Sequence, residues 1–161
     1  MKALPYPLFF GILYLTLYAC TNPPDYPLEP VIEYRRITKN TLDQSAFNAD
    51  STLITIGFTD GDGDIGSEDS VSIFIIDNRT EFEQPGFKIP FIGEQGVGKG
   101  ISGEISFVLF TSCCIFENGL TPCQPSTDFP LDTLTYDIFI TDRAGNVSNR
   151  VTTEPLFIRC N

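Results

Sequence analysis

The sequence predicts an all-β fold: a single antiparallel β-sandwich of about seven strands. Three observations carry the prediction. Short runs alternate apolar and polar residues with the period of a half-buried strand. Clusters of Gly, Pro and Asp punctuate those runs at turn spacing. No stretch holds a helical apolar period of useful length.

Residues 1–19 come first and stand apart. They carry Lys2 and then an apolar run through Leu15, Leu17 and Ala19. The run is short and interrupted by Pro5 and Pro7, so it reads as an export signal rather than a membrane span. It ends at Leu17-Tyr-Ala-Cys20, which resembles the bacterial lipobox, whose cysteine is diacylated and becomes the mature N-terminus. The plainer alternative is an ordinary signal cut, leaving Cys20 as a free thiol. Residues 20–30 hold four prolines in Thr21–Pro30 and no apolar period, as expected of a stiff, extended tether.

Residues 31–161 form the expected domain, about 130 residues and one core. Val31–Thr38 is the first candidate strand. Ile54, Ile56 and Phe58 line one face of a second, and Val71, Ile73 and Ile75 one face of a third. Phe87–Ile92 is a weaker fourth, limited by Pro90. Ile101, Gly103, Ile105, Phe107 and Leu109 share a face of the fifth, and Leu134, Tyr136, Ile138 and Ile140 a face of the sixth. Val147–Ile158 closes the set, less regular because of Pro155.

The stretch Phe58–Ser70 lies between two of these strands. It places Asp60, Asp62, Asp64, Glu68 and Asp69 within ten positions, with Gly61, Gly63 and Gly66 among them. Alternating carboxylates with glycines at the turns can wrap hard oxygens around one centre, which is what Ca²⁺ requires. The run opens like an EF-hand loop, but Ile65 stands where that loop needs glycine and Val71 where it needs a bidentate Glu. A helix–loop–helix hand is therefore disfavoured, and a further ligand has to come from elsewhere. The competing reading is a solvated acidic turn.

Gly93–Gly100 nearly spells a phosphate-binding loop. Gly100 replaces the hydroxyl residue and a strand follows instead of a helix, so a flexible hairpin is the better reading. Four cysteines besides Cys20 remain, namely Cys113, Cys114, Cys123 and Cys160. In an exported chain these read as two disulfides. Adjacent residues of an extended strand face opposite ways, which disfavours Cys113–Cys114. Cys114–Cys123 with Cys113–Cys160 is the favoured pairing, and the swapped one is close behind. The long Thr111–Pro130 connection that holds three of them reads as a staple, with a binding role second.

Composition excludes several function classes. The chain contains no His and no Trp. This removes His-dependent acid–base and nucleophile systems and most zinc sites. The formal charge is −11, and −12 once Lys2 leaves with the signal. That argues against nucleic acid and against adhesion to anionic lipid, and is compatible with divalent cations.

Two local patterns carry a resemblance. Asp132-Thr-Leu134-Thr-Tyr136-Asp-Ile138 resembles the run opening strand F of immunoglobulin-like domains, with Tyr136 in the tyrosine-corner position. Thr141–Ser148 resembles the D-x-A-G-N-x-S hairpin of bacterial Ig-like domains. With the lipobox and the Asp-Gly-Asp loop, the chain resembles small Ig-like lipoproteins of the Bacteroidetes. The resemblance implies an Ig-like sandwich and an envelope location, and no particular activity. Its topology would put the acidic loop and the Asp142–Asn146 loop at one end, making Asp142 a further ligand, helped by Asn146. It would put the cysteine-rich connection and the C-terminus at the other.

The expected function is an envelope-anchored, calcium-stabilised binding or structural module for protein or glycan. The bilayer is its partner through Cys20, with the periplasmic face of the outer membrane slightly favoured. The alternatives are a scaffold subunit of an envelope assembly and, less favoured, a carboxylate-based glycoside hydrolase, so no catalytic residue is assigned.

Overall fold

A computed structural model describes residues 25–93, 100–116, 119 and 121–161. The expected signal and Cys20 lie outside these residues, as does most of the Gly93–Gly100 hairpin. The described residues are all-β, with no helix among them.

Ten strands are formed among the described residues: β1 (Val31–Ile37), β2 (Thr41–Asp43), β3 (Ser51–Asp60), β4 (Ile73–Asp77), β5 (Phe82–Phe87), β6 (Ile101–Phe110), β7 (Leu131–Leu134), β8 (Tyr136–Ile140), β9 (Val151–Thr152) and β10 (Leu156–Arg159). They make three sheets of order β1-β3-β6, β2-β10-β7 and β5-β4-β8-β9. All pairings are antiparallel except β2 with β10, which is parallel.

The excess over seven has local causes. The run Leu134, Tyr136, Ile138, Ile140 is buried throughout, as its alternation predicts. It changes partners at Thr135, however: β7 pairs with β10 and β8 with β4. Pro155 breaks the last strand in the same way, leaving β9 on β8 and β10 on β7. Proline offers no N–H to a ladder, so the chain shifts sheets there. β2 is an added short strand in the first connection. The expected strand at Phe87–Ile92 is displaced upstream to β5, which carries Pro85 at the sheet edge. Ile89 is buried without being in a strand, and its carbonyl accepts a hydrogen bond from Ser67 N (2.9 Å).

The core is built from the inward faces of these strands: Ile54 and Ile56, Ile73 and Ile75, Phe107 and Leu109, Ile138 and Ile140, Leu156 and Ile158. Each such side chain removed from water contributes about 1.5–3 kcal/mol. β3 pairs with β6 through ten unbroken positions, from Ser51↔Phe110 to Asp60↔Ile101. That ladder delivers Asp60 to one end of the molecule and the cysteine-rich connection to the other.

The cysteine end is stapled twice. The pairs are Cys113–Cys123 and Cys114–Cys160, with Cα–Cα distances of 4.6 and 5.9 Å. The favoured pairing from sequence is thus corrected to the swapped one. β6 stops at Phe110, and the alternation of the strand stops with it. Cys114 then turns into the core beside the equally buried Cys160, while its amide donates to Gln44 Oε1 (3.3 Å). Cys113 is left facing the loop that holds Cys123. Arg79 ties this end together. Its guanidinium pairs with Asp77 (2.6 Å) and Asp132 (2.6 Å) and donates to Ser112 Oγ and Cys113 O. Tyr136 is buried, its phenol near Ser112 and the Asp77–Arg79 pair. Burial pushes that phenol up to about 12.

Candidate metal centre

Asp60 is the last residue of β3, and Asp142 follows β8 by two positions. The two strands end on the same side of the core. β1 begins there as well, since Val31 pairs with Thr59. In the loop after β3, Asp62 and Asp64 turn back toward Asp60 over Gly63, whose φ of 74° is open to glycine at little cost. The result is four carboxylates, from Asp60, Asp62, Asp64 and Asp142, each offering an oxygen within 4.8 Å of the others. Asp60 and Asp142 are buried, Asp64 is partly buried and Asp62 is exposed. The group can hold a metal ion.

Backbone bonds fix three of the four. Asp64 N donates to Asp60 Oδ2 (2.8 Å), and Ala144 N to Asp64 Oδ2 (2.9 Å). Asn146 holds Asp142 with both its amide nitrogens, N to Oδ1 and Nδ2 to Oδ2, each at 2.7 Å. Asn146 therefore orients Asp142. Its carbonyl is also engaged, accepting from Asp142 N (3.2 Å). Once these bonds are made, Asp60 Oδ1 and Asp64 Oδ1 are buried and have no hydrogen-bond partner.

The electrostatics follow from the crowding. Burial pushes the Asp60 carboxyl up to about 6, and the charges of Asp62, Asp64 and Asp142 add to this against the Asp64 N–H bond. Burial raises Asp64 too, with the charges of Asp142 and Asp62 behind it and the Ala144 amide and Arg143 opposing. Arg143 is the neighbouring cation, but it is committed elsewhere. Its Nη1 donates to Ile65 O (3.3 Å) and Gly66 O (3.0 Å), and its guanidinium lies 4.8 Å over the Phe91 ring. Among the described residues none of the four acids enters an ion pair. Close carboxylate pairs repel by about 1 kcal/mol in water and several times that where solvent is excluded. A divalent cation among these oxygens would offset that repulsion.

Two expected ligands are not brought in. Glu68 and Asp69 are exposed and stand outside the converging group. Ile65 is fully buried and plugs the loop into the core. Gly66 then turns the chain with φ +92°, packed so tightly on Pro90 that a Cβ would strike its carbonyl. Beyond that turn, Ser67 Oγ caps the amides of Asp69 (3.2 Å) and Ser70 (3.3 Å), making a separate surface turn. Asp142 does join the cluster, as the common loop end required. Sequence reasoning missed Arg143, Ala144 and the positioning role of Asn146. Backbone donors and carbonyl-bound cations leave no spacing signature.

No protein-family description, curated protein or solved structure matches this chain.

Proposed function

We propose that this chain is an envelope-anchored lipoprotein with a calcium-stabilised, Ig-like β-sandwich that serves as a binding or structural module for protein or glycan. The observation that carries the calcium reading is the fully buried Asp60, whose Oδ1 has no partner and sits among three other carboxylates. The donors are all hard oxygens and the chain has no His, which favours calcium over transition metals. Exposed Asp62 leaves one side of such an ion open to water or to a ligand.

The Ig-like reading draws support from the sheet orders. β1-β3-β6 and β5-β4-β8-β9 follow the A-B-E and C′-C-F-G arrangements, with β8 as strand F. The lipid anchor rests on the lipobox-like ending at Cys20. A non-enzymatic role agrees with the acid geometry. Glycosidic carboxylates face each other across a cleft at about 5–10 Å, whereas these four crowd one point.

The test is calorimetric titration of calcium into the mature chain carrying Cys20→Ser, with thermal melts in calcium and in chelator. Saturable binding and a raised melting temperature are expected, both lost in Asp62→Ala. Absence of heat and of any shift would reduce the loop to a solvated acidic turn.

A further inference from the structure

The residues before β1 lie across the acidic loop. Gly61, between Asp60 and Asp62, is covered by the backbone of Tyr26 and Pro27, and a Cβ there would strike both their carbonyl oxygens. Gly100, one residue before β6, is covered by the Tyr26 ring. A Cβ on it would stand 2.7 Å from Tyr26 Cδ2, 2.8 Å from Asp60 O and 3.3 Å from Gly61 Cα. Tyr26 is partly buried while Asp25, Pro27, Leu28 and Glu29 are exposed, so one ring and a short piece of backbone make the seat. The half of the expected tether nearest the domain is thus laid against it. Gly100, expected in a flexible hairpin, is close-packed.

The floor of this seat is the Asp60–Gly61 backbone, where the carboxylate loop begins. Four like charges without a counter-ion push that loop apart. Because Gly61 is already at contact distance, a small displacement of the loop unseats Tyr26 and Pro27.

We propose that Tyr26–Pro27 is a strap whose seating is coupled to cation binding in the acidic loop, so that calcium sets how far the domain stands from its anchor. The proposal rests on the calcium reading above. With the strap seated, the five residues 20–24 can span at most about 17 Å at ~3.4 Å per residue. An unseated one frees residues 20–30, a reach of about 37 Å. Linkage makes the coupling reciprocal: if calcium seats the strap, the strap tightens calcium by the same factor.

The chain has no Trp, so Tyr26→Trp gives a single fluorescent reporter at the strap. The mature chain with Cys20→Ser, with and without this change, is titrated with calcium chloride by calorimetry. In parallel, acrylamide quenching of the introduced indole and, in the chain with native Tyr26, chymotryptic cleavage after the adjoining Leu28 report the strap. Saturating calcium is expected to blue-shift the indole emission and to slow both quenching and cleavage, with the calorimetric midpoint. Tyr26→Ala should weaken calcium fivefold or more, while Leu28→Ala, at an exposed position, leaves it unchanged. Full calcium binding with unchanged cleavage, and with normal affinity in Tyr26→Ala, overturns the strap and leaves the metal site standing. No heat in the parent chain overturns the metal site and the coupling with it.

Discussion

Replacing Asp60 by Asn should stabilise the domain without calcium and destabilise it with calcium. In the metal-free protein the folded Asp60 carboxyl titrates at about 6, above its ordinary 3.8. Between those values the folded state holds a proton that the unfolded state has released. Its contribution to stability is present at low pH and is lost as pH rises through that window. A rise from 3.8 to about 6 corresponds to about 3 kcal/mol. Screening by water that reaches the loop beside exposed Asp62 brings this to about 1–2 kcal/mol. At about 4 °C per kcal/mol for a domain of this size, the metal-free melting temperature should fall by about 4–8 °C between pH 4 and pH 7. Asp64, also raised, acts with the same sign. Asp50 is lowered to about 2, chiefly by its hydrogen bond from Lys39, so its opposite slope lies below pH 3.8 and outside the interval.

Asp60→Asn removes the titrating charge, and the amide oxygen can still accept from Asp64 N. In chelator at pH 7 the variant should exceed the parent by about 1–2 kcal/mol, with a flatter pH slope. Calcium at a hundred times its Kd adds about 2.7 kcal/mol to the parent. The variant should lose that gain, so the order of melting temperatures inverts between the two buffers. Scanning calorimetry at pH 4 to 7 in chelator and in calcium reads both effects. A variant less stable than the parent in chelator at pH 7, or the same order in both buffers, would refute the reasoning.

Arg79→Met should cost about 3–5 kcal/mol in urea denaturation, because it strands the buried Asp77 carboxylate. Calcium affinity should be unaffected, since Arg79 sits at the opposite end of the strands. Removing the Cys114–Cys160 pair as a double Ala variant should cost about 4 kcal/mol, against about 2.7 for Cys113–Cys123, since the loops span 46 and 10 residues. Equal losses in guanidinium denaturation would contradict this pairing or the loop-entropy account. A lipid anchor on Cys20 should carry the mature chain into the detergent phase of a Triton X-114 partition, and Cys20→Ser should return it to the aqueous phase.

The strands were legible because burial imposes a period of two on the sequence itself. Leu134 to Ile140 is the clearest case: every second residue is apolar, and every one of them is buried. The acidic loop was legible for a related reason, since Asp60, Asp62 and Asp64 are local in sequence and their spacing survives folding. What the spacing could not carry was the choice among the remaining acids. Glu68 and Asp69 were excluded by Gly66 packing on Pro90, a contact spanning 24 positions in the chain. Asp142 was included because β3 and β8 end on the same side of the core.

The sequence by itself determined the all-β class, the position of the strands' apolar faces, the absence of His chemistry and the grouping of acids beside β3. These depend on residue type and near neighbours. Only the tertiary structure decided the disulfide partners, the four acids that converge, the change of sheet at Thr135 and Pro155, and the seat of Tyr26 against Gly61 and Gly100. Each of these is a contact between residues far apart in the chain. Each is decided by packing, where a difference of one methyl group or one turn of backbone selects the partner.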